Sequence, residues 1–230
     1  MAYLYDCHVH TAETSWCGVL SAEDMVRRYA QAGYTGIVIT DHYIREYFES
    51  LPERTWEDKV ARYLEGYNGA LAAGKKYGLT VLLGIELRFF NRIEDYLVYG
   101  LTPEFLREHP RLYDYTVETF IDFSRAHRLL IAQAHPFRPG QGPAPGACLD
   151  GMEVFNGNPR QTNNNHLALE YAKRHNLIQI AGSDAHQSTD VGVAGVYLDR
   201  PVSTSVEFAE YLRENRIPPR KTQQENAVGL

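Results

Sequence analysis

The stretch DCHVH, residues 6–10, places two imidazole side chains two positions apart near the start of the chain. Side chains two apart on a strand lie on the same face, so this strand is predicted to turn Asp6, His8 and His10 one way. Cys7 would then point away from them, into the core. Two ring nitrogens on one face of a strand can converge on one metal ion. The next question is which other side chains of the chain could bind the same ion.

Apolar segments of strand length alternate with amphipathic segments of helical length along most of the chain. The predicted strands are LYDCHVH, TGIVITDH, LTVLLGIE, DYLVYGL, RLLIAQAH, GMEVFNG and LIQIAGSDAH. Ser21 and Gly33 are predicted to bound the first helix, Gly78 to close a helix near residues 56–78, and Thr102 with Pro103 to begin another. About seven βα units in 230 residues favour a single-domain α/β fold with a parallel sheet that closes into a slightly incomplete barrel.

Composition narrows the classes of function. The formal charge of -6, without any cluster of Lys and Arg, argues against a broad nucleic-acid surface and favours a small or locally bound substrate. No apolar run approaches the ~18 residues that span a bilayer, and no signal peptide is recognisable, so no membrane association and a cytoplasmic location are expected. The three cysteines form no CxxC pair and are expected to be reduced: Cys7, Cys17 and Cys148.

Histidines and acids recur where the predicted strands end. Five of the nine histidines lie there, and the carboxyl ends of parallel strands in a barrel share one rim. Burying so many polar groups together without partners would cost about 1 to 3 kcal/mol each, which bound metal ions would offset. The predicted metal ligands are His8, His10, His42, Glu86, His135, Asp184 and His186. Asp41 is either a further ligand or a residue that orients one.

The motifs HVH, TDH, GIE, AHP and GSDAH, in this order, resemble those of the PHP (polymerase and histidinol phosphatase) family. The resemblance covers residues 4–200 and leaves 201–230 as a C-terminal helix and tail of the same 1–230 domain. It implies a distorted (βα)7 TIM-like barrel, two to three divalent ions of zinc, manganese or iron, and phosphoesterase activity. It also implies a first ion held by His8, His10, Glu86 and Asp184, a second shared by Glu86 and His135, and a third held by His42 and His186.

The chain departs from the family pattern at two positions. After the first motif, where the family commonly has Asp or His, only Glu13 and Cys17 offer ligand atoms. In the fourth strand, where the family commonly has His, Asp95 is the available substitute. Glu13, Cys17 and Asp95 are therefore possible additional ligands, with a packed thiol as the alternative for Cys17.

The chemistry that follows is hydrolysis of a small phosphate ester by metal-activated water, because water bound to a divalent ion can have its pKa lowered to about 7. No GxSxG elbow or P-loop supports another route. Arg138 and Arg160 are the candidates for binding the phosphate. The insertion at residues 43–59 could form a lid or substrate wall over the rim, or a peripheral helix cap.

Two other functions compete with a phosphoesterase. His-rich barrels with HxH on the first strand also hydrolyse amides or cyclic C–N bonds, although no clear candidate exists here for the carboxylated lysine that such amidohydrolase-type enzymes often use. A non-catalytic metal-binding module that regulates a partner is the third hypothesis.

Overall fold

The computed structural model describes residues 2–216 and the backbone of residues 220 and 221, and these form a mixed α/β fold. The strands are β1 (Tyr3–Val9), β2 (Gly36–Ile39), β3 (His42–Tyr43), β4 (Thr80–Leu83), β5 (Ile85–Arg88), β6 (Asp95–Tyr99), β7 (Leu130–Gln133), β8 (Gly151–Asn156), β9 (Ile178–Gly182), β10 (Ala194–Leu198) and β11 (Arg220–Lys221). The α-helices are α1 (Ala22–Gln31), α2 (Arg45–Ser50), α3 (Trp56–Tyr63), α4 (Glu65–Tyr77), α5 (Pro103–Glu108), α6 (Val117–Ala126), α7 (Asn165–Arg174) and α8 (Ser205–Asn215). Met1, residues 217–219 and residues 222–230 lie outside the described residues. The tail predicted within 201–230 is therefore described only in part.

The predicted helix boundaries are confirmed where a capping residue marked them. The Ser21 side chain accepts a hydrogen bond from the N–H of Asp24 at the start of α1, and Thr102 caps α5 with Pro103 at its first position. Gly78 ends α4 in the left-handed conformation, with φ of 72°. The single helix predicted near residues 56–78 is instead two helices, because the chain breaks at Leu64.

The strands lie in two sheets that adjoin each other on both sides. One has the order β11-β10-β1-β2-β4, and the other has the order β3-β5-β6-β7-β8-β9. The N–H of Gly84 donates to the carbonyl of Ile39 at 2.8 Å, which leads from the pair β2–β4 to the pair β3–β5. On the other side, Val9 forms a parallel bridge with Ala185 just after β9. The ends of β1 and β9 are therefore neighbours, although they are far apart in sequence.

The expectation of a wholly parallel sheet is wrong at β6. This strand runs antiparallel to both β5 and β7, with Asp95 opposite Arg88. Only residues 89–94 separate β5 from β6, and a parallel crossover needs about a dozen residues or more, so the short connection forces a hairpin. Asp95, at the start of β6, consequently lies at the edge where β5 ends. A second antiparallel pairing joins β10 to β1.

The predicted alternation of side chains along β1 is also broken. The register between β1 and β2 shifts between Asp6 and Val9. Asp6 accepts a hydrogen bond from the hydroxyl of Tyr29 on α1 at 2.7 Å, so it faces this helix and does not share a face with His8. Cys7 is fully buried in a hydrophobic cluster with Leu97 of β6, which agrees with its predicted place in the core.

The insertion at residues 43–59 packs on the sheet. It contains α2 and the start of α3, and it contributes Tyr43, Tyr47, Phe48 and Trp56 to an aromatic cluster in which Phe48 stacks on Trp56 at 4.9 Å between ring centroids. This burial matches the helix-cap alternative. No helix in residues 2–216 is both long and apolar enough to cross a membrane.

Candidate metal centre

The seven predicted ligands meet at one place in the structure. They come from the end of β1, the start of β3, the middle of β5 and the residues after β7 and β9. The carboxylate of Glu86 lies at their centre and is fully buried. Its Oε1 is 2.9 Å from Nε2 of His135 and 3.3 Å from Nε2 of His8, and its Oε2 is 2.7 Å from Nδ1 of His42 and 3.4 Å from Nε2 of His10.

Asp184 completes this arrangement from the other side. Its Oδ1 lies 3.5 Å from Nε2 of His8, 3.3 Å from Nε2 of His10 and 3.4 Å from Nδ1 of His186. Among the residues that the structure describes, donor atoms within 4.8 Å of one another form three overlapping groups that could each hold an ion. These are His8 with His10 and Asp184, His8 with Glu86 and His135, and His10 with His42 and His186.

Two of these residues adopt a backbone conformation that side chains disfavour. His135 has φ of 30° and Asp184 has φ of 51°, and each lies two residues after the end of a strand, β7 or β9. A non-glycine residue in the left-handed region costs about 1 to 2 kcal/mol. Such strain persists where the surrounding structure requires it, and it concentrates at functional sites.

The ring of His8 is oriented from behind by Glu153. Oε1 of Glu153 is 3.0 Å from Nδ1 of His8, and an ionised carboxylate can only accept a hydrogen bond, so Nδ1 carries the proton. The lone pair of the neutral ring is then on Nε2, which faces the oxygens of Glu86 and Asp184. This is the arrangement by which proteins usually orient a histidine ligand.

The ring of His10 is oriented in the same way through a hydroxyl. Ser15 donates its one proton to Oδ1 of Asp41 at 2.7 Å, so the Nδ1 of His10, 3.1 Å from the same hydroxyl, donates to it. Asp41 also accepts hydrogen bonds from the N–H and hydroxyl of Thr11, both at 2.7 Å. Burial raises the pKa of Asp41 to about 6, although Ser15 and Thr11 oppose the rise. The structure therefore places Asp41 behind His10, outside the three groups.

Several buried donor atoms at the centre lack a hydrogen-bond partner among the described residues. They are Nε2 of His8, Nε2 of His10, Nδ1 of His42 and Oε2 of Glu86. Leaving such atoms buried without a partner costs about 1 to 3 kcal/mol each. Imidazole nitrogens and carboxylate oxygens are ligands that zinc, manganese and iron accept, so the donor set fits the divalent ions that the motifs predict.

The electrostatics of the centre also favour cations. Burial alone would lower the pKa of His8, but the carboxylates of Glu153, Asp184 and Glu86 raise it well above its usual value. Burial alone would raise the pKa values of Glu86 and Asp184, but neighbouring histidines hold both well below the usual range. Positive charge is thus stabilised between these side chains, whether protons or metal ions carry it.

The three possible additional ligands have different positions. Both carboxylate oxygens of Glu13 accept from the N–H of Ala22 at 2.9 Å, so Glu13 caps α1 and the structure does not bring it to the centre. Asp95 is 3.9 Å from Nε2 of His135, but both its oxygens accept from Arg88 at 2.8 Å. Cys17, by contrast, has its Sγ 3.3 Å from Nε2 of His42.

The two predicted phosphate-binding arginines are both paired with acids. Arg138 donates to Asp184 and, at 2.8 Å, to the side-chain oxygen of Asn163, which ties it to a metal-ligand candidate. Arg160 donates to Asp190 at 2.7 Å, and its side chain is 42% exposed. Oδ2 of Asp190 also accepts from the N–H of His186 at 3.0 Å. Arg160 therefore lies next to the centre with part of its surface open to solvent.

Sequence reasoning missed Glu153, Ser15 and Arg88. Glu153 carried a usable signal, because it is the only charged residue in the segment GMEVFNG and a lone acid within an apolar strand demands a partner. Ser15 carried none, since a serine in a polar loop is ordinary. Arg88 meets Asp95 across the hairpin between β5 and β6, and this contact could not be expected from the parallel connection predicted there.

Comparison with known proteins gives one family match and several similar folds. Residues 162–217, from just before α7 to just after α8, match the family described as PHP-associated. The fold is similar to that of a two-domain protein from Bacteroides vulgatus containing a predicted PHP-like metal-dependent phosphoesterase, with a TM-score of 0.61 and 14% identity over 93% of this chain and 63% of the other. The resemblance to the PHP family is confirmed.

Two other solved structures have folds similar to most of the chain. An amidohydrolase from Chromobacterium violaceum has a TM-score of 0.56 and 16% identity, over 96% of this chain and 99% of that one. The lesion-specific endonuclease PfuEndoQ from Pyrococcus furiosus has a TM-score of 0.63 and 14% identity, over 94% of this chain and 56% of that one. This chain thus spans less than two thirds of the Bacteroides and Pyrococcus proteins. No curated protein matches it in sequence.

Proposed function

We propose that this chain is a metal-dependent hydrolase that cleaves a small phosphate ester. The proposal rests on one observation above all: Nε2 of His8 and Nε2 of His10, whose rings are oriented from behind, face buried carboxylates, and neither nitrogen has a hydrogen-bond partner among the described residues. Such an arrangement is stable only when cations lie between them. The likeness in fold to a PHP-like phosphoesterase gives phosphate esters priority over other substrates.

The architecture that we propose is the distorted (βα)7 barrel of a single domain. Counting β2 with β3 and β4 with β5, the order β1, β2/β3, β4/β5, β6, β7, β8 and β9 has seven positions. The bridge between Val9 and Ala185 supports contact between the first and the last. All the proposed ligands would then lie at one mouth of this barrel, as enzymes with related barrels have them.

Two to three divalent ions would bind here, of zinc, manganese or iron. His8, His10 and Asp184 would hold the first ion, Glu86 and His135 would share in a second, and His42 and His186 would hold a third. When bound, such ions lower the pKa of a coordinated water and neutralise charge on the phosphoryl oxygens.

The remaining roles fall to the protein itself. Glu153 and Ser15 fix the rings of His8 and His10, so the ligands need little reorganisation. Arg160 is the better placed of the two predicted arginines to bind the phosphate, because its side chain is 42% exposed. Arg138 has its guanidinium engaged by Asp184 and Asn163, which supports a role in holding the metal-binding carboxylate.

A second candidate is hydrolysis of an amide or cyclic C–N bond. The likeness to the amidohydrolase from Chromobacterium violaceum favours it. A carboxylated lysine is a common ligand in enzymes that perform this reaction, and the sequence offers no clear candidate for one, which counts against this function. A non-catalytic regulatory module is less favoured, because a metal-binding protein without a reaction has no need for a partly exposed arginine at the site. The formal charge of -6 supports a small substrate in the cytoplasm over a nucleic acid, despite the likeness to an endonuclease.

Metal analysis joined to a substrate panel tests the proposal. The chain, purified without chelator, is expected to contain two to three divalent ions and to hydrolyse phosphomonoesters in preference to amides, lactams and single-stranded DNA. His8→Ala should remove metal and activity together, whereas the matched variant His166→Ala, on α7, should keep both. Full metal content without turnover of any phosphate ester would refute the proposal, and cleavage of a lactam would establish the second candidate.

A further inference from the structure

Cys17 brings a sulfur atom to the edge of the centre formed by His42 and His186. Its Sγ is 3.3 Å from Nε2 of His42. The imidazole of His186 interacts with the same thiol. The motifs that the sequence resembles commonly have Asp or His in this segment, where the present chain has Cys17.

The backbone around Cys17 holds this position. The N–H groups of Val19 and Leu20 both donate to the carbonyl of His186, at 2.8 and 3.2 Å. The N–H of Gly18 donates to the carbonyl of Ser15 at 2.8 Å, and a Cβ at Gly18 would lie only 2.7 Å from the carbonyl oxygen of Thr11. Glycine therefore permits a tight turn that is tied directly to a ligand residue, and the thiol is positioned by main-chain contacts.

His10 supplies an independent sign that a ligand belongs beside this thiol. Its side chain is fully buried, and its Nε2 has no hydrogen-bond partner among the described residues. Its ring stacks on that of His186 at 4.2 Å between centroids and lies 4.5 Å from that of His42. Three imidazoles thus converge, with the sulfur at their outer edge.

We infer that Cys17 provides a thiolate as the third protein donor with His42 and His186, next to the ion that His10 binds, and that this position selects a thiophilic ion such as Zn²⁺ over Mn²⁺. Two nitrogens and one sulfur leave the fourth position of a tetrahedral zinc site open, as catalytic zinc sites do. Manganese prefers oxygen ligands, which the groups around Glu86 and Asp184 offer. Binding forms a metal–sulfur bond and releases the thiol proton to solvent. The inference rests on the metal centre of the proposed function and adds its selectivity.

Cobalt substitution tests the inference through a spectroscopic signal. The full chain is stripped of metal and titrated with Co²⁺, because cobalt replaces zinc in such sites and a cobalt–thiolate bond gives a charge-transfer band in the near ultraviolet. The band is expected in the unsubstituted chain and in Cys148→Ser, a matched control at the partly exposed Cys148. It should be lost in Cys17→Ser. The Zn²⁺ affinity of this variant at one site should fall about tenfold or more, with little change for Mn²⁺.

A second variant separates loss of the thiol from loss of structure. Cys17→Asp keeps a ligand but changes it to oxygen, so it should bind Mn²⁺ better than the unsubstituted chain and still show no band. Absence of the band from the unsubstituted chain, or its persistence in Cys17→Ser, would overturn the inference. These readouts need no substrate, so a chain that shows the band but cleaves no phosphate ester would refute the proposed function alone. A chain that cleaves one without the band would refute the thiolate ligand alone.

Discussion

The carboxylate of Glu153 lies 3.0 Å from Nδ1 of His8, on the other side of the ring from Glu86 and Asp184. Its second oxygen accepts from the N–H of His135 at 2.8 Å. One buried acid on β8 therefore orients the ring of one proposed ligand and holds the strained backbone of another. The metal centre depends on this strand, although no residue of β8 belongs to the three donor groups.

Replacing Glu153 with glutamine should weaken metal binding about 10- to 100-fold, the range for groups that orient a ligand. The amide has nearly the same shape but loses the negative charge and one acceptor, so the proton on Nδ1 of His8 is held less firmly. The measurement is affinity by competition with a chelator. Glu13→Gln is the matched control, because Glu13 caps α1 away from the centre and should lower only thermal stability. Equal affinities in the two variants would contradict the role of Glu153.

Metal loading should stabilise the chain more as the pH rises through neutrality. Burial would lower the pKa of His8, but neighbouring carboxylates raise it well above its usual value. Burial also opposes a rise in the pKa values of three other histidines, yet Glu86, Cys17 and Asp184 raise them: His42, His135 and His186. A histidine whose pKa is higher in the folded chain than in the unfolded chain stabilises the metal-free fold. This stabilisation is complete below the unfolded pKa of about 6.5 and is lost as the pH rises through the pKa of the folded chain. His10 has the opposite effect, because burial lowers its pKa. Its preference for the neutral form makes the fold less stable as the pH falls below about 6.5.

Protons and metal ions compete for the same nitrogens, so these shifts have a measurable consequence. The melting temperature of chelator-treated protein should fall as the pH rises above about 6.5, whereas that of metal-loaded protein should change less. The difference between the two should therefore widen with pH in calorimetric scans. A constant or shrinking difference would show that the raised histidine pKa values do not govern the centre.

The sequence was informative where a polar residue ended an apolar strand. His42, Glu86 and His135 each end a strand predicted from the sequence, and strand ends share a rim, so their meeting could be predicted, although the structure has His42 at the start of β3 and Glu86 within β5. The direction of β6 could have been predicted from the six residues between β5 and β6, which are too few for a crossover. The register shift within β1 could not, because it arises from pairing with β2 and from the hydrogen bond between Asp6 and Tyr29, a contact that no local pattern encodes.

The two arginines should separate into different kinetic classes. Arg160→Ala should raise KM for a phosphate ester roughly tenfold to a hundredfold, the cost of one charge-assisted hydrogen bond, and leave metal content unchanged. Arg138→Ala should instead lower metal affinity, because Asp184 loses the guanidinium that holds it. Steady-state kinetics and metal analysis distinguish these outcomes, with exposed Arg27→Ala as a control. Loss of metal in Arg160→Ala would place that residue in the structure of the centre instead of in phosphate binding.

Gly66, on α4, should tolerate no side chain because it packs against the loop that positions His10. A Cβ there would lie 1.9 Å from the hydroxyl of Thr11 and 2.9 Å from Oδ2 of Asp41. Gly66→Ala should therefore lower the free energy of unfolding by about 1 to 3 kcal/mol or more and also weaken metal binding. Gly69→Ala, in the same helix, would meet only the Cβ of Ala22 at 3.3 Å. The helix preference for alanine over glycine, about 1 kcal/mol, should offset this slight crowding. Urea unfolding of both metal-free variants measures the difference, and equal stabilities would show that the loop shifts freely to accommodate a methyl group.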